Sequence, residues 1–167
     1  MSNTETFYRC GEDLKSIPYE YKECGLSGIF LQNGFSRKER DGEEFISIID
    51  MEGLHRSIGE HLVSNRKELA PAEIKFLRKT MDLTQAELGR MMGQSSQQVA
   101  RWEKGASAIP GPADRLLRIL FIVRNMDDEE LEEFINHLES IEELDERADQ
   151  TVTLHRQHDA WTDRLAA

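Results

Sequence analysis

Gln97 and Arg101 stand four residues apart, one helical turn, and carry side chains matched to the edges of nucleic-acid bases. Glutamine pairs bidentately with the N6/N7 edge of adenine and arginine with the O6/N7 edge of guanine, in a groove wide enough to admit a helix. Such a pair is useful only if a helix presents it outward and something anchors the opposite face. The stretch Thr84 to Gly105, TQAELGRMMGQSSQQVARWEKG, is written for that task. Thr84 is followed three residues on by Glu87, and Ser95 by Gln98, so two capping boxes predict two helix starts eleven residues apart. Gly93 falls between them, where a tight turn favours a residue that takes positive φ at no steric cost. At about 100° per residue Val99 and Trp102 share the inward side of the second helix with Ser95, while Gln97 and Arg101 point away.

The Gln-Ala-Glu-Leu of Gln85 to Leu88, Gly93, Val99 and the Arg-Trp-Glu-Lys-Gly of Arg101 to Gly105 make residues 71 to 124 resemble the Xre family of repressors. The resemblance implies a compact helical bundle like that of lambdoid phage repressors, and a DNA-binding role. It also implies that Gln85 anchors to a phosphate and that Ser96, Gln97 and Arg101 approach base edges. The DNA-contacting set expected on this basis is Gln85, Ser95, Ser96, Gln97, Gln98, Arg101 and Lys104.

The net charge of −11 has the wrong sign for such a role, but it is unevenly spread. Residues 66 to 124 hold eleven basic and six acidic side chains, a balance of +5. Residues 1 to 65 balance at −5, residues 125 to 149 at −11, and the remainder at zero. Phosphate neutralisation is local, so a basic segment in an acidic chain still suits DNA. The N-terminus has no basic patch followed by an apolar run, and no stretch approaches the roughly eighteen apolar residues of a membrane span. A cytoplasmic protein with no membrane contact is expected, its two cysteines being thiols.

Ahead of the motif, Ile17 to Lys22, Gly28 to Gln32 and Glu44 to Ile49 are short aromatic and β-branched runs, with Asn33-Gly34 as a turn signal. They predict a small antiparallel sheet. Asp50 caps a helix over about Met51 to Arg66 with Leu54, Ile58 and Leu62 on one face, although Gly53 and Gly59 detract from its regularity. Pro71 suits the first position of the next helix, in which Ile74 and Leu77 give a core stripe and Arg78 a basic edge. The order Ile17-Pro18-Tyr19 after a cysteine, then Leu69, Pro71, Ile74, Arg78-Lys79 and Leu83-Thr84-Gln85, is similar to the MqsA family of antitoxins, in which the N-terminal module is a zinc ribbon. The ligands for one are missing here. A closed site takes four ligands, normally two Cys-x-x-Cys pairs, whereas Cys10 and Cys24 are the only cysteines, and His55 and His61 sit on opposite sides of one helix. No metal or other cofactor is expected, Cys10 and Cys24 being the sole candidates.

Behind the motif, Pro112 starts a helix to about Asn125 that is apolar on most sides, through Leu116, Leu117, Ile119, Leu120, Phe121, Ile122 and Val123. Either a two-fold partner covers it, making a homodimer through residues 112 to 124, or residues 131 to 144 of the same chain do. In that later segment Leu131, Phe134, Ile135, Leu138, Ile141 and Leu144 recur at three and four on an acidic helix. Its apolar side packs on its own domain or dimer mate, or docks a basic partner.

The fold class expected is therefore α+β: residues 1–66 a small antiparallel β module with a connecting helix, 67–125 an all-α, lambda-repressor-like helix-turn-helix domain, and 126–167 an acidic helix and tail. The function expected is a dimeric, sequence-specific repressor reading an inverted repeat in double-stranded DNA. The alternative is an antitoxin that binds a toxin through residues 1–66 or 127–147 and represses its own operon. No phosphate loop, nucleophile elbow or His-Glu-x-x-His pair is present, so no catalytic residue is expected.

Overall fold

A computed structural model describes residues 17–125, 128–138, 140–144 and 151–163. The fold is mixed α+β, and the chain divides into two compact units: one joins the segment up to Ser57 with that from Gln150 onward, the other runs from Ile58 to Asp149.

The first unit contains strands β1 (Tyr19–Glu20), β2 (Ile29–Leu31), β3 (Phe35–Arg40) and β4 (Glu43–Ile48), the start of helix α1 (Met51–Asn65), and strands β5 (Val152–Gln157) and β6 (Ala160–Thr162). One sheet has the order β1-β2-β5-β6, and β3 pairs with β4 in a separate hairpin. The expected sheet was all antiparallel and N-terminal; the structure corrects this. β5 comes from the tail and runs parallel to β2, with Leu31 opposite Leu154. A parallel pair needs a long crossover, and here the whole second unit lies between the two strands in sequence. The ladder is extended by Asn33, 1% exposed, whose Oδ1 accepts from Arg156 N at 2.6 Å and whose Nδ2 donates to Arg156 O at 3.0 Å.

Trp161 closes this unit. Its indole is buried and Nε1 donates to the carbonyls of Ile49 and Asp50 at 3.1 and 3.2 Å. Gly34, at φ +71°, lies so close to the ring that an added Cβ would stand 2.5 Å from Trp161 Cη2. The Asn33-Gly34 turn signal therefore marks a close approach of backbone to a side chain more than a hundred residues away. The β3–β4 hairpin turns at Asp41 and Gly42, φ +55° and +82°, the pair of left-handed residues that a two-residue turn of the tightest kind demands.

Helix α1 begins as expected, with Asp50 Oδ1 accepting from Gly53 N at 3.0 Å. Both of its glycines are close-packing sites: a Cβ on Gly53 would meet Asp50 Oδ2 at 2.1 Å, and one on Gly59 would meet the Phe121 ring at 2.1 Å. Cys24 is half-buried, donates to Tyr21 O at 3.4 Å, and burial pushes its thiol pKa up; Cys10 lies outside the described residues. His55 meets the Tyr21 hydroxyl at 2.8 Å, and burial pushes the Tyr21 phenol up to about 12. Among the described residues no three His, Cys, Asp or Glu side chains gather as a metal site.

The second unit holds the end of α1 and helices α2 (Pro71–Thr80), α3 (Gln85–Met92), α4 (Ser96–Glu103), α5 (Gly111–Asn125) and α6 (Asp128–His137), then a 3₁₀ turn at Ser140–Glu143. Among the described residues no helix is long and apolar enough to cross a membrane. Its core contains Ile58, Leu62, Ile74, Leu77, Leu88, Val99, Trp102, Leu117, Phe121 and Ile122. Arg118 is wholly buried among them: Nε donates to Asp114 Oδ1 at 2.6 Å, Nη1 to the carbonyls of Val63 and Arg66, and Nη2 to that of Lys67. Arg118, a charge in the middle of a mostly apolar helix, thus caps the end of α1 from inside.

Helix α6 packs on α5, with Phe134 and Ile141 buried and Arg115 donating to Leu138 O at 2.7 Å. The predicted helix to Leu144 is interrupted after His137, where Ser140 donates back to the His137 carbonyl and Leu138 N bonds to Ile135 O. Ile135, on the apolar side of that helix by its spacing, is 51% exposed.

Trp161→Ala should cost the first unit about 3 to 5 kcal/mol through its cavity and the lost indole bond to the Ile49 carbonyl, the Asp50 carbonyl keeping its bond from Leu54 N. Hydrogen exchange should show lost protection at the β2 and β5 amides; unchanged protection would mean that the tail strands do not hold the sheet.

Candidate nucleic-acid interface

Helix α3 starts with the full reciprocal box. Thr84 Oγ1 accepts from Glu87 N at 3.1 Å, and Glu87 Oε2 accepts from Thr84 N at 2.8 Å and Oγ1 at 2.7 Å. These bonds, the backbone one first, hold the Glu87 carboxyl below its ordinary pKa range. Gly93 ends the helix at φ +68°, and Gln94 N reaches back to Gly89 O at 2.7 Å.

Gly89 was not singled out from sequence, yet it sets the turn. A Cβ there would stand 2.6 Å from the Gln94 carbonyl oxygen, whereas one on Gly93 meets nothing within 4 Å. Gly93 thus supplies backbone conformation and Gly89 supplies room, so that α4 can start immediately against α3.

Helix α4 is capped by Ser95, whose hydroxyl accepts from Gln98 N at 3.1 Å. The second box is only half formed. Gln98 does not reach back; its Nε2 donates to Ser107 Oγ at 3.2 Å and braces the loop after the helix. Val99 and Trp102 are buried as predicted, and Ser95, Ser96, Gln97, Arg101 and Lys104 are exposed.

What fixes α4 is Glu103. Arg78 Nε and Nη2 donate to its two carboxylate oxygens at 2.5 and 3.0 Å, while Arg78 Nη1 donates to Leu83 O at 2.7 Å. Gln85 Nε2 adds a bond to Glu103 Oε2 at 2.8 Å. One carboxylate thus ties α2, the start of α3 and the end of α4. Arg78, expected as a basic edge, is spent inside, because a fork-shaped guanidinium satisfies a buried carboxylate bidentately. Gln85 keeps a second amide hydrogen and an oxygen, with its orientation set by Glu103.

Arg66 with Glu73, Arg78 with Glu103 and Arg118 with Asp114 are buried pairs. Removing them leaves eight basic and three acidic side chains between residues 66 and 124. The surface outside the ion pairs is more one-sidedly basic than the sequence count.

Residues 74–114 match the family model described as Helix-turn-helix, of the Xre-like kind. The match begins inside α2 and ends in the first turn of α5, enclosing both helices of the motif. This segment is a helix-turn-helix domain, and it supports a DNA-binding transcription regulator as the class of protein. No curated protein and no solved structure matches the chain.

Gly89→Ala should destabilise by about 1 to 3 kcal/mol through overpacking against backbone, and by more than Gly93→Ala, whose cost is left-handed strain of about 1 to 2 kcal/mol. Thermal unfolding of the two variants checks the order. Glu103→Ala should cost about 3 to 5 kcal/mol, since it leaves a buried guanidinium unpaired; a loss below 1 kcal/mol in denaturant titration would contradict the network.

Proposed function

We propose that the protein is a cytoplasmic, dimeric repressor that reads an inverted repeat in double-stranded DNA by placing α4 in the major groove. The observation that carries this reading is the division of α4: Val99, Trp102 and Glu103 bind it to its own domain, while Ser96, Gln97 and Arg101 stand free on the other face. Gln97 and Arg101 address base edges with Ser96 beside them. Gln85, oriented by Glu103, and Lys104 bind backbone phosphate, and Ser95 and Gln98 hold the helix start and the following loop against the DNA. The protein acts by binding, without catalysis.

The dimer rests on α5. Its buried face carries Leu117, Phe121 and Ile122, but a second apolar stripe, Leu116, Ile119, Leu120 and Val123, points the other way. α6 does not finish covering it: three of these side chains are half-buried and Val123 is 55% exposed. A second copy on this stripe gives two recognition helices, which a two-fold sets about 34 Å apart over successive major grooves.

A second reading, an antitoxin of the MqsA kind, is favoured by the first unit, which exposes Ile17, Phe45, Ile49 and Met51. Such apolar side chains suit a protein partner. Copurification of a small basic toxin with this chain, lost on Phe45→Glu, would select it.

In mobility-shift titrations with the DNA upstream of the gene, Gln97→Ala and Arg101→Ala should each cost about 1 to 3 kcal/mol at particular base pairs. Gln85→Ala should weaken all sites alike. If the double change at Gln97 and Arg101 leaves operator affinity intact, α4 does not read the sequence.

A further inference from the structure

The two flanks of the α5 stripe differ in charge, and that difference bears on how two copies meet. On one flank lies α6, with Arg115 bonded to the Leu138 carbonyl just after it, Glu129, Glu132 and Glu133 exposed and Ile135 beside Glu132 at helical spacing. On the other flank lie the C-terminal end of α2 and helix α3, which packs on α5. Arg124 donates to Met81 O at 2.8 Å, and Glu87, engaged first by Thr84, also feels Arg90 and Arg124. Arg90 and Arg124 are exposed there, next to Met91, which is 43% exposed. Met91, Val123 and Ile135 are the exposed large apolar side chains described in this unit.

A two-fold axis can join two such stripes in two limiting ways. With the axis across the helices, α5 meets its mate antiparallel and each flank faces its own equivalent, so that the acidic α6 opposes the second copy's acidic α6. With the axis along the helices, α5 meets its mate parallel and unlike flanks face one another. Like charges directly opposed are repulsive and opposite ones attract, and these effects choose a register where apolar burial is similar. We propose that two copies pair α5 in parallel, with α6 of each docked along α3 of the other, Glu132 facing Arg90 and Arg124, and Ile135 seated on Met91. This inference rests on the dimer reading and adds its geometry and partner surface. None of the docking side chains lies on α4, so its exposed face stays open to DNA.

In parallel pairing each stripe residue meets its own counterpart. Antiparallel pairing instead brings Leu116 against Val123 of the mate. Single-cysteine chains, Leu116→Cys or Val123→Cys in a Cys10→Ser, Cys24→Ser background, are oxidised separately and as a mixture, and run on non-reducing gels. Expected are two self-linked dimers, with mixed species no more abundant than the self-linked ones would give by chance. Linkage only in the mixture would overturn parallel pairing while leaving the dimer standing. A second measurement uses the otherwise unaltered chain. Glu132→Arg should raise the dimer dissociation constant by about threefold, and Arg90→Glu in the same chain should restore it. A charge reversal without effect, alone or combined, in a chain that light scattering shows to be dimeric, would count against α6 on α3. A monomer throughout would remove this inference and the dimer together.

Discussion

The buried guanidinium of Arg118 is the constraint on which the second unit depends. An α-helix ends with carbonyls that lack partners, and here one of them, from Val63, converges on one side chain together with the carbonyls of Arg66 and Lys67 just past the helix end. A cation at a helix C-terminus also suits the macrodipole. The charge is balanced by Asp114 one turn earlier on α5, whose other oxygen accepts from Leu69 N at 3.2 Å. That carboxylate turns the chain out of α1 and delivers it to Pro71. The end of α1, the connection and α5 are thereby held before the helix-turn-helix begins, and Gly59 lets the Phe121 ring close against α1.

From there the logic is repeated at smaller scale. Glu73 bonds Arg66 at 3.0 Å and reaches back to Ala70 N at 2.8 Å, so α2 is capped although its N-cap residue has no acceptor of its own. Glu103 then ties α2 to α3 and α4. Each of the three carboxylates takes an arginine and one further donor, which is how a small helical unit buries these charges with their hydrogen-bonding capacity engaged. A consequence for binding follows directly: the internal arginines are neutralised, and the side chains that remain outside form the basic surface.

The first unit is organised on a different principle. Its sheet is short, and a two-stranded ribbon is marginal in water, so stability must come from packing by distant chain. Trp161 and the parallel strand β5 supply it, with Asn33 standing in for ladder bonds that β2 is too short to provide.

Much of the helical unit was legible in the residues themselves. Thr84 with Glu87, Ser95, Gly93 and Pro71 act through bonds and torsions within a few positions, and Val99 and Trp102 through the helical period; such signals are local, and the structure reproduces them. The hairpin was half legible: Glu44 to Ile49 reads as a β run, but Phe35–Arg40 carries too many charges to read as a strand. Tertiary structure alone decided the rest. Arg78, Arg118 and Glu103 look like solvated charges until their partners, 25 residues distant in one case and more than 50 in another, arrive to desolvate them. Gly59 and Gly89 look like weak helix formers until the Phe121 ring and the Gln94 carbonyl occupy the missing Cβ. The tail has no period because β5 is set by pairing with β2, over a hundred residues earlier, and β6 is added to the sheet through β5; nothing within a window of neighbouring residues encodes a partner as far away as β2.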